Sequence, residues 1–298
     1  MDVTIKDVAE KANVSATTVS RVINDKPDVS DKTKRKIKKI MKEIGYNPND
    51  VARSLVLNKT HTIGLVIPDI SNPFFPKVAQ GIENKAKEFG YSVIFCDTNN
   101  QSSEEIEAIN LLKRKKIDGI ILSLSLKNKH ELNKLEKESF PVVQIDREIP
   151  KARSPIVTID NVSSAYKATK YLIQLGHAKL AHITGDLNTK TAQDRLKGFR
   201  KALKEFNLWE REEWILEGNY SIESGFKQMN RLLEVKELPT AIFAANDLIA
   251  IGAYDSIFNN NFKIPQNFSI VGHDDIEIAS IIRPGLTTIK QPKYKLGT

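Results

Sequence analysis

The sequence predicts an all-α N-terminal headpiece followed by an α/β domain built as two doubly wound lobes with parallel sheets. From residue 62 onward, apolar strand-like runs alternate with amphipathic helical patterns, which is typical of parallel strands covered by helices on both faces. Before that point, three short helical patterns carry apolar stripes that can close a small core of their own. A length of 298 residues also favours more than one domain.

The first two helical patterns lie in TIKDVAEKANVSATTVSRVIN, residues 4–24. Thr4 and Asp7 have the spacing of a capping signal, Asn13 suits the left-handed backbone of a helix end, and Ser15 is a good cap for the second helix. The outward face of the second helix carries small, mostly polar side chains: Ala16, Thr17, Ser20, Arg21 and Asn24. Such a pair is typical of a helix-turn-helix whose second helix enters a DNA groove. An ordinary helical hairpin is the alternative.

Positive charge is concentrated at the N-terminus. Residues 1–60 contain 13 Lys and Arg against 8 Asp and Glu, a net charge of +5 out of +8 for the whole chain. Many of these cations fall in a third helical pattern that Ser30 is expected to cap and Gly45 to end. A basic run can be a merely solvated helix face, but beside a groove-reading motif it favours a nucleic-acid partner.

A short segment, YNPNDVARSLVLNKTHT, joins the headpiece to the α/β region. Its helical pattern, Asp50–Leu55, is too short to be stable alone in water, so we expect it to form when something orders it. An ordinary interdomain linker is the alternative. We therefore divide the chain into a headpiece over residues 1–47, a hinge helix and linker over 48–60, and a two-lobed domain over 61–298.

The composition argues against several other classes. A single cysteine, Cys96, excludes an internal disulfide and favours the cytoplasm. The N-terminus has no apolar signal region and no apolar run approaches about 18 residues, so neither export nor a membrane partner is expected. Motifs that cradle phosphates, present a catalytic serine or bind catalytic zinc are absent, and the five histidines lack metal-ligand spacing. We expect a non-enzyme without cofactor or metal.

The strand-like runs also locate a candidate binding site. They are residues 63–68, 91–96, 119–124, 142–146, 157–160, 180–184, 214–218, 241–245 and 269–273. In open α/β lobes, ligands bind beyond the carboxyl ends of the strands. Aromatic and polar side chains lie near those ends: Phe74, Phe75, Asp146, Arg147, Arg195, Asn246, Asp274 and Gln291. Rings that stack on CH faces and polar groups that bond hydroxyls suit a sugar. Taken singly, these residues also fit core, helix-cap or surface-pair roles.

Several motifs together resemble one protein family. They are VTIKDVAEKANVSATTVSRVIN, GYNPNDVARSL, DISNPFF, TAQDRLKGF, NDLIAIGAY and GHDDIEIAS…PGLTTIKQP. In order and over essentially the whole chain, they are similar to the LacI/GalR family of bacterial transcription regulators. The resemblance implies a DNA-binding headpiece, a hinge helix and a two-lobed effector domain of the type I periplasmic-binding-protein fold. It also implies a homodimer on near-palindromic operator DNA.

The resemblance further implies which residues contact DNA. They are Thr4, Ser15, Ala16, Thr17, Thr18, Ser20, Arg21, Asn24, Asn49, Ala52, Arg53 and Leu55. Arg21 can bond guanine O6 and N7, while Ala16 and the Thr17 methyl can contact thymine methyl groups. Leu55 is expected to wedge into a minor-groove step, where two copies of Ala52 approach each other.

Within the family, HTIGLVIPDISNPFF, ITGD…TAQDRLKGF and GHDDIEIAS…LTTIKQP resemble the ribose-responsive repressors most. That implies an effector site made of the eight residues at the strand ends, with Tyr220 at the pocket wall, and ribose or a related sugar as inducer. A regulator that needs a purine or a partner protein as co-repressor is the alternative. The chain stops after IKQPKYKLGT, where family members continue, so we expect a truncated effector domain.

Overall fold

The computed structural model describes residues 3–47 and 59–298. The chain divides into two compact units, with the boundary after His61. The predicted hinge helix and four of the predicted DNA contacts, Asn49, Ala52, Arg53 and Leu55, lie outside the described residues.

The headpiece is a three-helix unit. Its helices are α1 (Ile5–Ala12), α2 (Ala16–Ile23) and α3 (Asp31–Glu43). Their apolar stripes meet in one buried cluster that contains Val8, Ala9, Ala12, Val19, Val22, Ile37 and Ile40. This cluster confirms the helical core that the sequence periodicity predicts.

The headpiece helices begin and end at the predicted capping residues. Ser15 Oγ accepts a hydrogen bond from the Thr18 backbone N–H at 3.1 Å, and Asn13 adopts a left-handed backbone with φ of 53°. At Thr4, the Asp7 carboxylate accepts the backbone N–H at 2.7 Å and the hydroxyl at 2.8 Å. These bonds occupy N–H groups at the helix starts that have no partner within their own helix.

The second unit contains two sheets of five parallel strands each. The first sheet, which defines lobe 1, has the order β2-β1-β3-β4-β5, and the second, which defines lobe 2, has the order β10-β9-β8-β6-β7. The strands are β1 (Thr62–Ile67), β2 (Ser92–Asp97), β3 (Gly119–Leu122), β4 (Val142–Ile145), β5 (Ile156–Val157), β6 (Leu180–Thr184), β7 (Ile215–Glu217), β8 (Ala241–Ala244), β9 (Ser269–Asp274) and β10 (Thr287–Lys290).

Helices cover both faces of each sheet. They are α4 (Phe74–Glu88), α5 (Ser102–Arg114), α6 (Lys129–Lys137), α7 (Asn161–Gln174), α8 (Lys190–Glu205), α9 (Ile222–Leu233), α10 (Asp247–Asn259) and α11 (Lys293–Gly297). Along β1, Leu65 and Ile67 enter one buried cluster and Val66 enters the cluster on the opposite face. The two-lobed parallel fold is thereby confirmed. Over the described ranges, none of the helices is long and apolar enough to span a membrane.

Two parts of this unit differ from the sequence prediction. The strand predicted at residues 157–160 is reduced to Ile156–Val157, because Asp160 caps α7 by accepting the Ser163 N–H at 2.8 Å. Helix α11, which we did not predict, leaves lobe 2 and packs against α4 of lobe 1. The contact is so close that a Cβ atom on Gly81 would lie 2.3 Å from the Tyr294 carbonyl oxygen.

Candidate functional site

The headpiece presents an exposed face on α2. Thr17 and Arg21 are exposed and, being four residues apart, lie on the same side of the helix. Ala16, Thr18 and Ser20 are half-buried. This is the arrangement that a groove-reading helix requires: a core-facing apolar stripe and a small outer face.

Other predicted DNA contacts already have partners in the headpiece. The Ser15 and Thr18 hydroxyls lie 2.9 Å apart within the α2 cap, and Asn24 Nδ2 donates to Ser20 Oγ at 3.4 Å. The Thr4 hydroxyl donates to Asp7. A DNA contact by any of these groups would compete with or add to these bonds.

Part of the positive charge of α3 is structural. Lys36 Nζ donates to the Ala12 carbonyl at 2.8 Å and so occupies an acceptor at the end of α1. Lys34 forms an ion pair with Asp25, with 3.1 Å between Lys34 Nζ and Asp25 Oδ1. The basic footprint therefore combines cations that hold the headpiece together with cations that face solvent.

A cavity lies between the two lobes of the second unit, at the carboxyl ends of their strands. Eight of the nine predicted effector residues line it: Phe74, Phe75, Asp146, Arg147, Arg195, Tyr220, Asp274 and Gln291. Four further residues, which the sequence does not predict for this site, also line the cavity: Asp69, Asn72, Asn100 and Thr191. Asp69 and Asn72 lie in the segment between β1 and α4, and Asn100 lies shortly after β2, so the position of these residues beyond strand ends is the signal that points to them.

The aromatic residues of lobe 1 serve both the core and the cavity. Phe74 and Phe75 are 3% and 5% exposed and belong to the apolar cluster beneath α4. Their rings meet edge to face at 5.0 Å. Asn72 fixes the start of this helix, since its Oδ1 accepts the Phe74 N–H at 3.1 Å.

Tyr220 of lobe 2 meets Arg147 of lobe 1 across the cavity. The Arg147 guanidinium lies 5.8 Å from the Tyr220 ring centre, and Arg147 Nη2 donates to Asn100 Oδ1 at 2.8 Å. The Tyr220 ring rests on Gly185, where an added Cβ atom would lie 2.0 Å from the ring. Glycine at 185 is therefore what gives this ring its space.

Arg195 is buried, at 3% exposure, with part of its guanidinium committed to the protein. Its Nε donates to Asn161 Oδ1 at 3.0 Å, and its Nη1 donates to the Ala245 carbonyl. These two hydrogen bonds fix the orientation of the planar guanidinium group. Its remaining N–H groups are available to a ligand in the cavity.

Two carboxylates from opposite lobes line the cavity. Asp146 and Asp274 have φ angles of 61° and 121°, which are strained for residues with a side chain. Burial raises the pKa of Asp146 to about 6, the Asp274 charge adds to this, and Arg195 and Arg147 oppose it. Asp274 accepts a hydrogen bond from Gln291 Nε2 at 2.7 Å.

Two acceptors at the cavity lack donors. Gln291 is 2% exposed, and its Oε1 is buried without a hydrogen-bond partner. Among the described residues, no donor bonds the side-chain oxygens of Asp146, whose backbone alone is engaged. Since buried acceptors are normally satisfied, the cavity is chemically prepared for a ligand that brings donors.

Asn246, the ninth predicted effector residue, does not line the cavity. Its Oδ1 caps α10 by accepting the Ile249 N–H at 2.9 Å, and its Nδ2 donates to the Tyr220 carbonyl at 3.1 Å. This corrects the expectation of direct contact: the helix-cap role applies, and Asn246 fixes the backbone of Tyr220, whose φ is 70°.

Both units match known families. Residues 4–49 match the family of bacterial regulatory proteins named lacI, and residues 60–298 match the periplasmic binding proteins and sugar-binding domain of the LacI family. The protein belongs to the LacI family. It is therefore a DNA-binding transcription regulator with an effector-binding domain, as the motifs predict.

Individual relatives are similar in sequence to this protein along nearly the whole chain. The transcriptional regulator DegA of Bacillus subtilis is 40% identical over 300 residues, covering 100% of this chain and 89% of DegA. The transcriptional repressor PurR of Haemophilus influenzae is 38% identical over 295 residues, covering 99% of this chain and 88% of that PurR. These relatives of the chain are transcription regulators rather than enzymes.

Solved structures show the same fold. The lac repressor dimer bound to operator and the anti-inducer ONPF superposes with a TM-score of 0.88 at 30% identity, covering 100% of this chain and 90% of that one. A Burkholderia thailandensis protein provisionally assigned as a ribose operon repressor superposes with a TM-score of 0.73 at 31% identity, covering 80% and 88%.

Proposed function

We propose that this LacI-family regulator is a repressor that binds a near-palindromic operator as a homodimer and is released by a small polyhydroxylated inducer, ribose or a related sugar. Residues 1–47 read the operator, residues 48–60 form the hinge helix and linker, and residues 61–298 bind the effector and dimerise. As a DNA-binding regulator, the protein acts in the cytoplasm.

The observation that carries the choice of ligand is a pair of acceptors at the cavity without donors, the buried Gln291 Oε1 and the Asp146 carboxylate. An unpaired buried polar atom costs about 1–3 kcal/mol, so Gln291 Oε1 favours a ligand whose hydroxyl groups donate to it. The Asp146 carboxylate lines the same cavity and can accept from the same ligand. Arg147 and Arg195 can donate to the ligand's oxygens in return. The Phe74 and Phe75 rings offer apolar surface to its CH groups.

The proposed roles follow from this geometry. Direct effector contacts are assigned to Phe74, Phe75, Asp146, Arg147, Arg195, Tyr220, Asp274 and Gln291, with Asn246 as a positioning residue. On the DNA side, Thr17 and Arg21 are assigned to base edges because they are the exposed pair on α2. The hinge contacts Asn49, Ala52, Arg53 and Leu55 complete the operator-binding set.

A purine co-repressor is the second candidate. It is favoured by the similarity to PurR, at 38% identity, and by the aromatic rings of Phe74 and Tyr220 at the cavity. A purine would stack on such rings and donate from its ring and amino N–H groups. The two candidates have opposite consequences, because an inducer weakens operator binding and a co-repressor strengthens it.

The test uses the full chain and a duplex that it selects from a randomised near-palindromic pool. Fluorescence anisotropy is measured without effector and with millimolar ribose, glucose, hypoxanthine or guanine. We expect ribose to weaken binding at least tenfold and Asp146→Asn to bind the duplex without responding. Strengthening by a purine would establish the second candidate instead, and no response to any of the four would refute both.

A further inference from the structure

Arg21, the basic residue of α2, forms an ion pair within the headpiece. Its Nη1 lies 2.8 Å from Oδ2 of Asp28, and the two side chains are 54% and 50% exposed. The pair therefore lies on the surface, and Arg21 retains most of its five N–H donors for another partner.

The loop that carries Asp28 is fixed at both ends. On one side, the Lys26 N–H donates to the Arg21 carbonyl at 2.9 Å, which closes the chain tightly against the end of α2. On the other side, Val29 packs against the headpiece core and Ser30 caps α3. Asp28 is thus held in a defined place beside Arg21.

A free arginine at this position would have two kinds of DNA partner. It can bond guanine O6 and N7, which depends on sequence, or any backbone phosphate, which does not. A carboxylate beside the guanidinium fixes its orientation. It also reduces the local positive charge and repels phosphates, while leaving donors for an uncharged base edge.

We propose that Asp28 is a specificity-determining residue, which holds Arg21 toward a base edge and suppresses its contacts with phosphates. This inference rests on the proposed role of Arg21 in reading the operator. Asp28 acts through Arg21 and is therefore a positioning residue. Its removal changes the discrimination between operator and other DNA more than it changes the fold, because an exposed ion pair adds little stability.

The experiment compares Asp28→Asn with the native full chain. Affinity is measured for the duplex selected by the native chain and for a scrambled duplex of equal length, over a series of salt concentrations. We expect affinity for the scrambled duplex to rise and affinity for the selected duplex to stay level or fall. The ratio of the two affinities then drops about tenfold, with relaxed base preference at one position in each half-site.

Asp25→Asn is the matched control. Asp25 carries the same charge in the same loop, but its partner is Lys34 at 3.1 Å rather than Arg21. Asparagine also tolerates the left-handed backbone of this position, where φ is 48°. Its substitution is expected to raise both affinities by a similar factor, so the ratio stays unchanged.

A double substitution connects the effect to Arg21. In an Arg21→Ala background, Asp28→Asn should cause no further loss of discrimination. If Asp28→Asn in the native chain changes both affinities by the same factor, as in Asp25→Asn, the inference is wrong while the proposed function stands. If the native chain selects no duplex from the pool, the proposed function fails and the inference falls with it.

Discussion

The headpiece and the effector cavity differ in the exposure of their binding side chains and in the backbone conformation of the residues that carry them. On α2, the side chains offered to DNA are exposed or half-buried, and the helix ends are closed by local bonds such as that from Thr18 to Ser15. In the cavity, Asp146, Asp274 and Tyr220 have left-handed backbones, and both carboxylates are buried. The reading face of α2 is largely exposed to solvent, whereas the cavity combines buried carboxylates with left-handed backbones.

The difference follows from what each surface binds. DNA is densely charged and stays hydrated when it is bound. A helix that reads it therefore needs exposed hydrogen-bond donors on a regular backbone. A small ligand has to be stripped of water and held by groups that are already in place, which requires buried charges fixed by the fold. Removing a buried side chain whose hydrogen bonds are satisfied in the cavity should therefore cost more stability than removing an exposed side chain of the headpiece face.

The largest expected effect is that of Arg195→Ala. Removing this guanidinium leaves Asn161 and the Ala245 carbonyl without their donor and leaves Asp146 with less compensation for its charge. We expect a loss of about 3–5 kcal/mol in the free energy of unfolding, as for breaking a buried charge pair. Affinity for ribose, the proposed effector, should fall about a hundredfold, since charged hydrogen bonds are lost. Urea unfolding and calorimetric titration measure the two effects.

Arg200→Ala is the matched control on the same helix. Arg200 pairs with Glu210 at 2.7 Å, but its side chain is 52% exposed. Its removal should cost less than about 1 kcal/mol and leave ribose binding intact. Equal losses for the two arginines would contradict the contrast between buried and exposed sites.

The second effect is a pH dependence of stability that originates at Asp146. Its pKa in the folded protein is raised from 3.8 to about 6, chiefly by burial. The folded state therefore binds this proton more tightly than the unfolded state does. Its stabilising contribution is fully present below pH 3.8 and is lost as the pH rises through about 6, a change of about 3 kcal/mol.

Asp146→Asn removes this dependence. Relative to the native chain, the variant should gain about 3 kcal/mol in unfolding free energy between pH 3 and pH 7, as measured by urea unfolding at several pH values. Both proteins share three other buried groups with shifted pKa values. The pKa of Asp247 is raised to about 7, and those of His182 and His273 are lowered to about 3 and about 4. The difference between the two curves therefore reports Asp146 together with its coupling to the neighbouring charges.

Asp7 in the headpiece is the contrasting control. The backbone N–H of Thr4, and then its hydroxyl, lower the pKa of this exposed carboxyl. Its contribution is present above pH 3.8 and is lost as the pH falls through the lowered pKa of the folded state. Asp7→Asn should therefore lose stability relative to the native chain on going from acid to neutral pH, opposite to Asp146→Asn. Curves that run parallel to that of the native chain would refute both assignments.

Local patterns predict the headpiece and the strand ends well, because the forces involved act over a few residues. Thr4, Asn13, Ser15 and Ser30 mark helix ends in the sequence and in the structure alike. The parallel topology then brings residues such as Asp146 and Asp274 to one cavity, since ligands meet open sheets at the carboxyl ends of the strands.

Contacts between distant segments could not be predicted in this way. Asn246 stands at a strand end like its neighbours, but whether its side chain faces the cavity or the helix start depends on the bond to the Tyr220 carbonyl. The return of α11 to lobe 1 depends on the close approach of Gly81 and Tyr294, which are far apart in the chain. Neither periodicity nor capping signals carry that information.

The smallest effect is expected for Ser15→Ala in the headpiece. The substitution removes the acceptor of the Thr18 N–H at the start of α2, and the loss of such a cap costs about 1 kcal/mol. Amide hydrogen exchange in the full chain should speed up about fivefold in α2, while exchange in the strands of lobe 2 stays unchanged.

Thr17→Ala serves as the control for that measurement, because Thr17 is exposed on the same helix and outside the cap. It should leave the exchange of α2 within about twofold of the native rate, since exposed substitutions change stability by less than about 0.5 kcal/mol. If Ser15→Ala instead destabilises the chain as much as Arg195→Ala does, the headpiece holds its reading helix by more than local bonds. That result would contradict the proposed difference between the headpiece, whose reading helix is held by local hydrogen bonds, and the cavity, whose side chains are held by buried contacts.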